Sequence, residues 1–116
     1  MSEHSCTLME KYIRLIQDGQ KTVEARVATP MFQKWQAGDV VSFFSRRNPK
    51  IAVLVKILDV NQYPSFHAML TSETPEKLIP GITSVEQAVR EYLKIPRYAE
   101  REKLGVLAFK LSVLLN

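Results

Sequence analysis

A single cysteine, Cys6, and two histidines, His4 and His67, are all the thiol and imidazole the 116-residue chain contains. One thiol cannot close an internal disulfide, and Cys6 belongs to no CxxC or Cys/His spacing, so a structural zinc site is disfavoured and a reducing cytoplasm is the expected compartment. Glycine is scarce too: the four glycines, 19, 38, 81 and 105, are dispersed, which argues against a glycine-rich phosphate loop and a nucleoside-triphosphate enzyme. No apolar run approaches the ~20 residues that cross a bilayer, and MSEHSCTLMEKY lacks the basic-then-apolar order of a signal peptide. Membrane insertion and secretion are therefore not expected. No Ser/His/Asp arrangement, metal cluster, internal repeat, low-complexity tract or linker is visible, so neither a metal nor a cofactor is expected.

What the chain does have is an ordinary globular balance, 46% hydrophobic and 24% charged, which predicts one folded domain over residues 1–116 and, by default, a monomer. The formal net charge of +4 and pI near 9.3 lean towards a polyanionic partner.

The periodicities predict a small α+β protein. Leu8, Tyr12, Leu15 and Ile16 recur at helical spacing between Thr7, a candidate cap, and Gly19, placing a first helix over Thr7 to Asp18. TVEARVA then alternates as a strand, with Val23, Ala25 and Val27 on one face and Glu24 and Arg26 on the other. TPMFQKWQAGD reads as a short helix, and VVSFFS and IAVLVKILDV as two strands joined across RRNPK by a loop too short for a parallel crossover. SFHAMLTS reads as another short helix and TPEKLIPG as one further turn, Ser84 to Ile95 is a capped helix, and GVLAFKLSVL is a closing central strand. Four strands with interspersed helices fit a curved sheet or barrel. Phe43, Phe44 and Trp35 are expected in the core, and His4 in a frayed terminus.

The segment GQKTVEARV carries Lys21, Glu24 and Arg26 among small and apolar neighbours. Glu24 and Arg26 share a strand face about 7 Å apart, and Lys21 joins them only if the chain at Gln20 and Lys21 keeps the loop geometry that Gly19 permits. Two readings are open. The three charges form a solvated face, or they line a polar pocket in which arginine offers a planar fork, glutamate accepts protons and a desolvated lysine has its pKa lowered.

Gly19, Lys21, Glu24 and Arg26 resemble the GxKxxExR signature of the ASCH domain family. Gly38-Asp39 before a β-rich run, Tyr63-Pro64-Ser65-Phe66 leading to Met69-Leu70, Leu78-Ile79-Pro80-Gly81 before a helix, and the terminal GVLAFKL extend the resemblance over nearly the whole chain. It implies a PUA-like fold, a small β-barrel with flanking helices, and a cleft for RNA or a modified nucleoside, with Lys21, Glu24 and Arg26 projecting into it and Gly19 supplying the turn. Some members of the family resemble amidohydrolases acting on N4-acetylcytidine, in which the lysine works beside a threonine. This chain has Glu24 at that place, suited to act as a base on water or to bind an amine rather than to be a hydroxyl nucleophile. A second acid is expected after the third strand, with Glu73 and Glu76 as the candidates. A ribonuclease is a third possibility, weakened by the lack of a histidine pair.

The loop Ser45-Arg46-Arg47-Asn48 is a candidate phosphate contact, with Lys34, Lys50, Lys56, Arg97, Arg101 and Lys103 as further cations whose faces the sequence does not fix. Tyr63 is a candidate for stacking on a base, whereas Phe66 fits a core equally well.

Overall fold

The structure is a computed structural model and describes residues 1–115. Five strands form one curled sheet: β1 (Glu3–Thr7), β2 (Val23–Val27), β3 (Val40–Phe44), β4 (Ala52–Tyr63) and β5 (Val106–Leu115). Their order is β1-β3-β4-β5-β2, with β1 parallel to β3 and every other pair antiparallel. The helices are α1 (Glu10–Gln17), α2 (Pro30–Gln33), α3 (Phe66–Glu73), α4 (Pro75–Leu78), α5 (Val85–Leu93) and α6 (Tyr98–Arg101), followed by one 3₁₀ turn at Glu102–Leu104. None of the described helices is long and apolar enough to cross a membrane.

The sheet is a half-barrel with an apolar core on each face. Val41, Phe43, Val53, Val55, Ile57, Phe109 and Leu111 point to the concave side, where Ile13 and Ile16 of α1 and the rings of Phe32 and Trp35 fill it. Val23, Ala25, Val27, Val106 and Ala108 point to the other side, against Phe66, Met69, Leu70, Leu78 and Ala88 from α3, α4 and α5. Strand alternation thus sends successive residues of β2 into two different cores. Register shifts at Leu54/Val55 and Ile57/Asp59 bend β4, letting one 12-residue strand serve β3 at one end and β5 along its length. Ser65 and Ser84 cap α3 and α5, accepting the backbone N–H of Ala68 at 3.0 Å and of Gln87 at 3.1 Å.

Four expectations need correction. The sheet has five strands, not four, because Glu3–Thr7 pairs in parallel with β3. Its start is anchored: Asp39 accepts the Ser2 N–H at 3.0 Å and lies 2.8 Å from His4 Nε2, while the His4 ring stacks on Trp35 with centroids 5.1 Å apart. Thr7 consequently ends a strand, and α1 begins at Glu10 with Met9 in the cap position and no side-chain cap. Phe43 and Trp35 are buried as expected, but Phe44 alternates to the convex face and is only half-buried.

Candidate functional site

The site begins where α1 ends. Gly19, at φ +82°, takes the left-handed conformation, and the Gln20 and Lys21 N–H groups both donate to Leu15 O at 3.0 Å, so Lys21 is still in the turn when β2 starts at Val23. This offsets the strand parity and brings Lys21 to the same place as Glu24 and Arg26. Gly19 itself shapes the turn and does not line the cleft.

The three charges form a compact buried cluster. Glu24 Oε1 lies 3.0 Å from Lys21 Nζ, and Glu24 Oε2 accepts from Arg26 Nε at 2.9 Å and Nη2 at 2.7 Å. Lys21 Nζ also donates to Val23 O at 2.7 Å and Leu78 O at 2.8 Å. Arg26 Nη2 reaches Thr7 O at 3.4 Å, spanning the open side of the half-barrel between its edge strands β2 and β1. The Arg26 guanidinium lies 5.2 Å from the Phe32 ring centroid and 5.9 Å from that of Phe43, and Lys21 Nζ lies 5.5 Å from that of Tyr12. Lys21 and Glu24 are only 3% and 5% exposed, which settles the choice between solvated face and polar pocket in favour of the pocket.

Burial raises the Glu24 carboxyl, but the charges of Lys21 and then Arg26 outweigh it and hold the group below its ordinary value. Burial pushes Lys21 below its ordinary value while Glu24 pulls the other way. Three acceptors within 3.0 Å use all three protons of an ammonium, so Lys21 is the charged form here. Burial disfavours the Arg26 charge, and the Glu24 carboxylate more than restores it.

Above this cluster opens a cleft of about 950 Å³. Its walls come from Thr7 through Tyr12, from Ser45, Arg46 and Arg47, and from the stretch between α5 and α6 that includes Tyr92, Pro96 and Tyr98. Ser45 is buried at the end of β3, its N–H donating to Ile51 O at 2.9 Å and its Oγ accepting from Asn48 N at 3.4 Å, which folds the loop so that exposed Arg46 and Arg47 stand on the rim. Lys11 and Lys94 add two further cations, against Glu10 and Glu91. Lys34, Lys50, Lys56, Arg97, Arg101 and Lys103 do not line the cleft.

The structure does not bring Glu73, Glu76 or Tyr63 to this cleft. Tyr63 Oη donates to Glu73 Oε2, which also accepts from Asn61 Nδ2 at 3.3 Å. The reason is sidedness: α3 and Tyr63 belong to the core on the convex face of the sheet, whereas Glu24 and Arg26 pair across β5 with Phe109 and Leu107, which face the concave core. Glu76 lies exposed in the first turn of α4. Tyr12, Tyr92 and Tyr98 are the site residues that sequence reasoning missed, since each is also part of a helical apolar stripe or its flank. Among the described residues, no three His, Cys, Asp or Glu side chains group as metal ligands.

A half-barrel with helices packed on both faces and a charged cluster at its open edge defines a PUA-like α+β domain. The ASCH domain model matches residues 7–113, and the chain belongs to the ASCH domain family. It is similar in structure to the hypothetical protein PH0355 (29% identity, TM-score 0.84, covering 98% of this chain and 100% of that one). Protein PF0455 from Pyrococcus furiosus is also similar (27% identity, TM-score 0.75, 98% of both chains). An ASCH domain from Lactobacillus crispatus JV V101 shares the fold at 15% identity and TM-score 0.72, covering 99% of this chain and 81% of that one. No curated protein matches the chain.

Proposed function

We propose that the cleft binds single-stranded RNA or a modified nucleoside. The observation that carries this reading is the buried Lys21–Glu24–Arg26 cluster at the floor of a nucleotide-sized cleft whose rim holds Arg46 and Arg47. Six cations and three carboxylates line the cleft, a bias that suits a polyanion, and the arginine loop is placed to take phosphates while the floor meets the inserted group. A 950 Å³ space lies in the range of small-ligand sites.

The alternative, an amidohydrolase for N4-acetylcytidine-type nucleosides, asks Lys21 or Glu24 to take a proton. With its three protons committed to Val23 O, Leu78 O and Glu24, Lys21 is a poor base, and Glu24 between two cations is a weak one. Glu73, on the other face of the sheet, supplies no second acid. A ribonuclease likewise lacks a visible acid–base pair in the cleft, so recognition without chemistry is the preferred reading.

The test is the affinity of Arg46→Ala/Arg47→Ala for a short single-stranded RNA beside the parent chain, with folding checked by circular dichroism. Weaker binding by a folded variant supports the proposal, and equal affinity contradicts it. A mass-spectrometric time course with N4-acetylcytidine separates the alternative: turnover by the parent would favour the hydrolase.

A further inference from the structure

Part of the convex face carries no helical layer. Helices α3, α4 and α5 cover that face over β2 and β5, and the core they form there includes no residue of β1 or β3 among the described residues. The concave core takes Cys6, Val41, Phe43, Val53 and Val55. Strand alternation therefore turns Val40, Ser42, Phe44, Ala52 and Leu54 outward, where they are half-buried and belong to neither core.

The pairing of β1 and β4 on either side of β3 sets the outward residues in three rows: Glu3–Val40–Lys56, Ser5–Ser42–Leu54 and Thr7–Phe44–Ala52. The first row runs from a carboxylate through an apolar centre to an ammonium. Glu3 and Lys56 are exposed, and neither joins an ion pair among the described residues. Two strand spacings, about 10 Å, separate them, which keeps them from pairing with each other. The second row runs from small to large. A hollow of about 450 Å³, lined by Glu3, His4, Ser5, Val40, Ser42 and Leu54, lies on this face.

Both rows are complementary to themselves under one operation. A two-fold axis running along β3, midway between two such faces, keeps each row in place and exchanges β1 with β4. Each Glu3 then stands opposite the second copy's Lys56, each Leu54 opposite the hollow over Ser5, and Phe44 opposite Phe44. An axis across the strands would set Glu3 over Thr7 and Lys56 over Ala52, leaving both charges without a counterpart. Sheets packed face to face stand about 10 Å apart. The curl of this sheet widens that gap away from β3, where the long glutamate and lysine side chains can bridge it. We infer that the outward face of β1, β3 and β4 joins two copies of the chain in a two-fold dimer, in place of the monomer expected by default. Three strands of five residues make a patch only about 14 Å by about 17 Å, which places it among the weak, transient interfaces.

The experiment is sedimentation velocity of the parent chain from about 10 µM to about 1 mM, where weak association is read. The parent is expected to pass from monomer to dimer over that range. Glu3→Lys and Lys56→Glu, both at exposed positions, each introduce two like-charge contacts by symmetry and are expected to raise the dissociation constant about tenfold or more. An equimolar mixture of the two variants restores opposite charges at both contacts and is expected to dimerise as well as the parent. The double variant Glu3→Lys/Lys56→Glu is expected to do the same. A parent that stays monomeric throughout overturns the interface. So do single variants that dimerise like the parent, or a mixture that associates no better than its components.

Discussion

The Lys21 ammonium donates to the Leu78 carbonyl at 2.8 Å, fastening the turn before β2 to the last residue of α4. With Val23 O and Glu24 as its other partners, a buried charge becomes a tie between two parts of the chain that are far apart in sequence. The cluster is thus architectural as well as, on the proposed function, the floor that a ligand would meet. Removing either end of it strands the other in a low-dielectric space.

Lys21→Met tests that dual role. The change leaves two carbonyls without their donor and leaves Glu24 with one cation, and breaking a buried pair in this way costs about 3–5 kcal/mol. For a domain of this size that lowers the melting temperature by roughly 10 °C or more. A variant that melts with the parent in a thermal scan would show that the tie contributes nothing. Lys21→Met/Glu24→Gln should lose less than the two single losses summed, because the pair is coupled.

Acid should loosen the start of β1. The Asp39 carboxyl is held at about 2, below its ordinary 3.8, first by the hydrogen bond with His4 and then by the Ser2 N–H. Because the folded value lies below the unfolded one, the stabilisation is complete above the unfolded value and drains away as pH falls through the folded one. Between about pH 6 and about pH 2 the parent should lose about 1–2 kcal/mol more than Asp39→Asn in urea titrations. Parallel losses in the two chains would contradict the assignment.

Gly105 is expected to resist replacement. Its φ is +96°, and an added Cβ would sit 2.9 Å from Gln62 Nε2 and 3.3 Å from Tyr63 O. The Gln62 amide can swing aside, but the backbone carbonyl and the left-handed conformation cannot, so Gly105→Ala should destabilise by about 1–3 kcal/mol. Chemical denaturation reads this directly, and an unchanged midpoint would refute it.

Much of the fold was legible because it rests on local signals. The alternation of Val23, Ala25 and Val27 against Glu24 and Arg26 fixed which face of β2 is charged, and Ser84 announced α5. The loop geometry at Lys21 was legible as a condition, through Gly19. β1 was not, because EHSCT has no apolar alternation of its own and forms only by pairing with β3. The misplaced second acid has the same origin. Glu73 follows the cleft motif in chain order, but its side of the sheet depends on where α3 packs, and that is a tertiary property. Tyr92 and Tyr98 carried no separate signal in the sequence, because both also pack, against Phe66.

Glu73 therefore serves as a control. Its partners are Tyr63 and Asn61, outside the cleft. Glu73→Gln should leave RNA affinity within about twofold of the parent, since Glu73, half-buried outside the cleft, meets no part of it. A large loss in a binding titration would place the ligand on the convex side of the sheet and not in the cleft.

The central claim, that a charged floor and an arginine rim make this cleft a receptor for RNA, is tested most directly by titrating the parent chain with a short single-stranded RNA across a salt series. If Arg46 and Arg47 each neutralise one phosphate, affinity should fall about sevenfold between about 50 and about 200 mM salt, from the slope of roughly −0.7 per phosphate contact. Binding that ignores salt, or no binding at the lowest salt, would contradict the account.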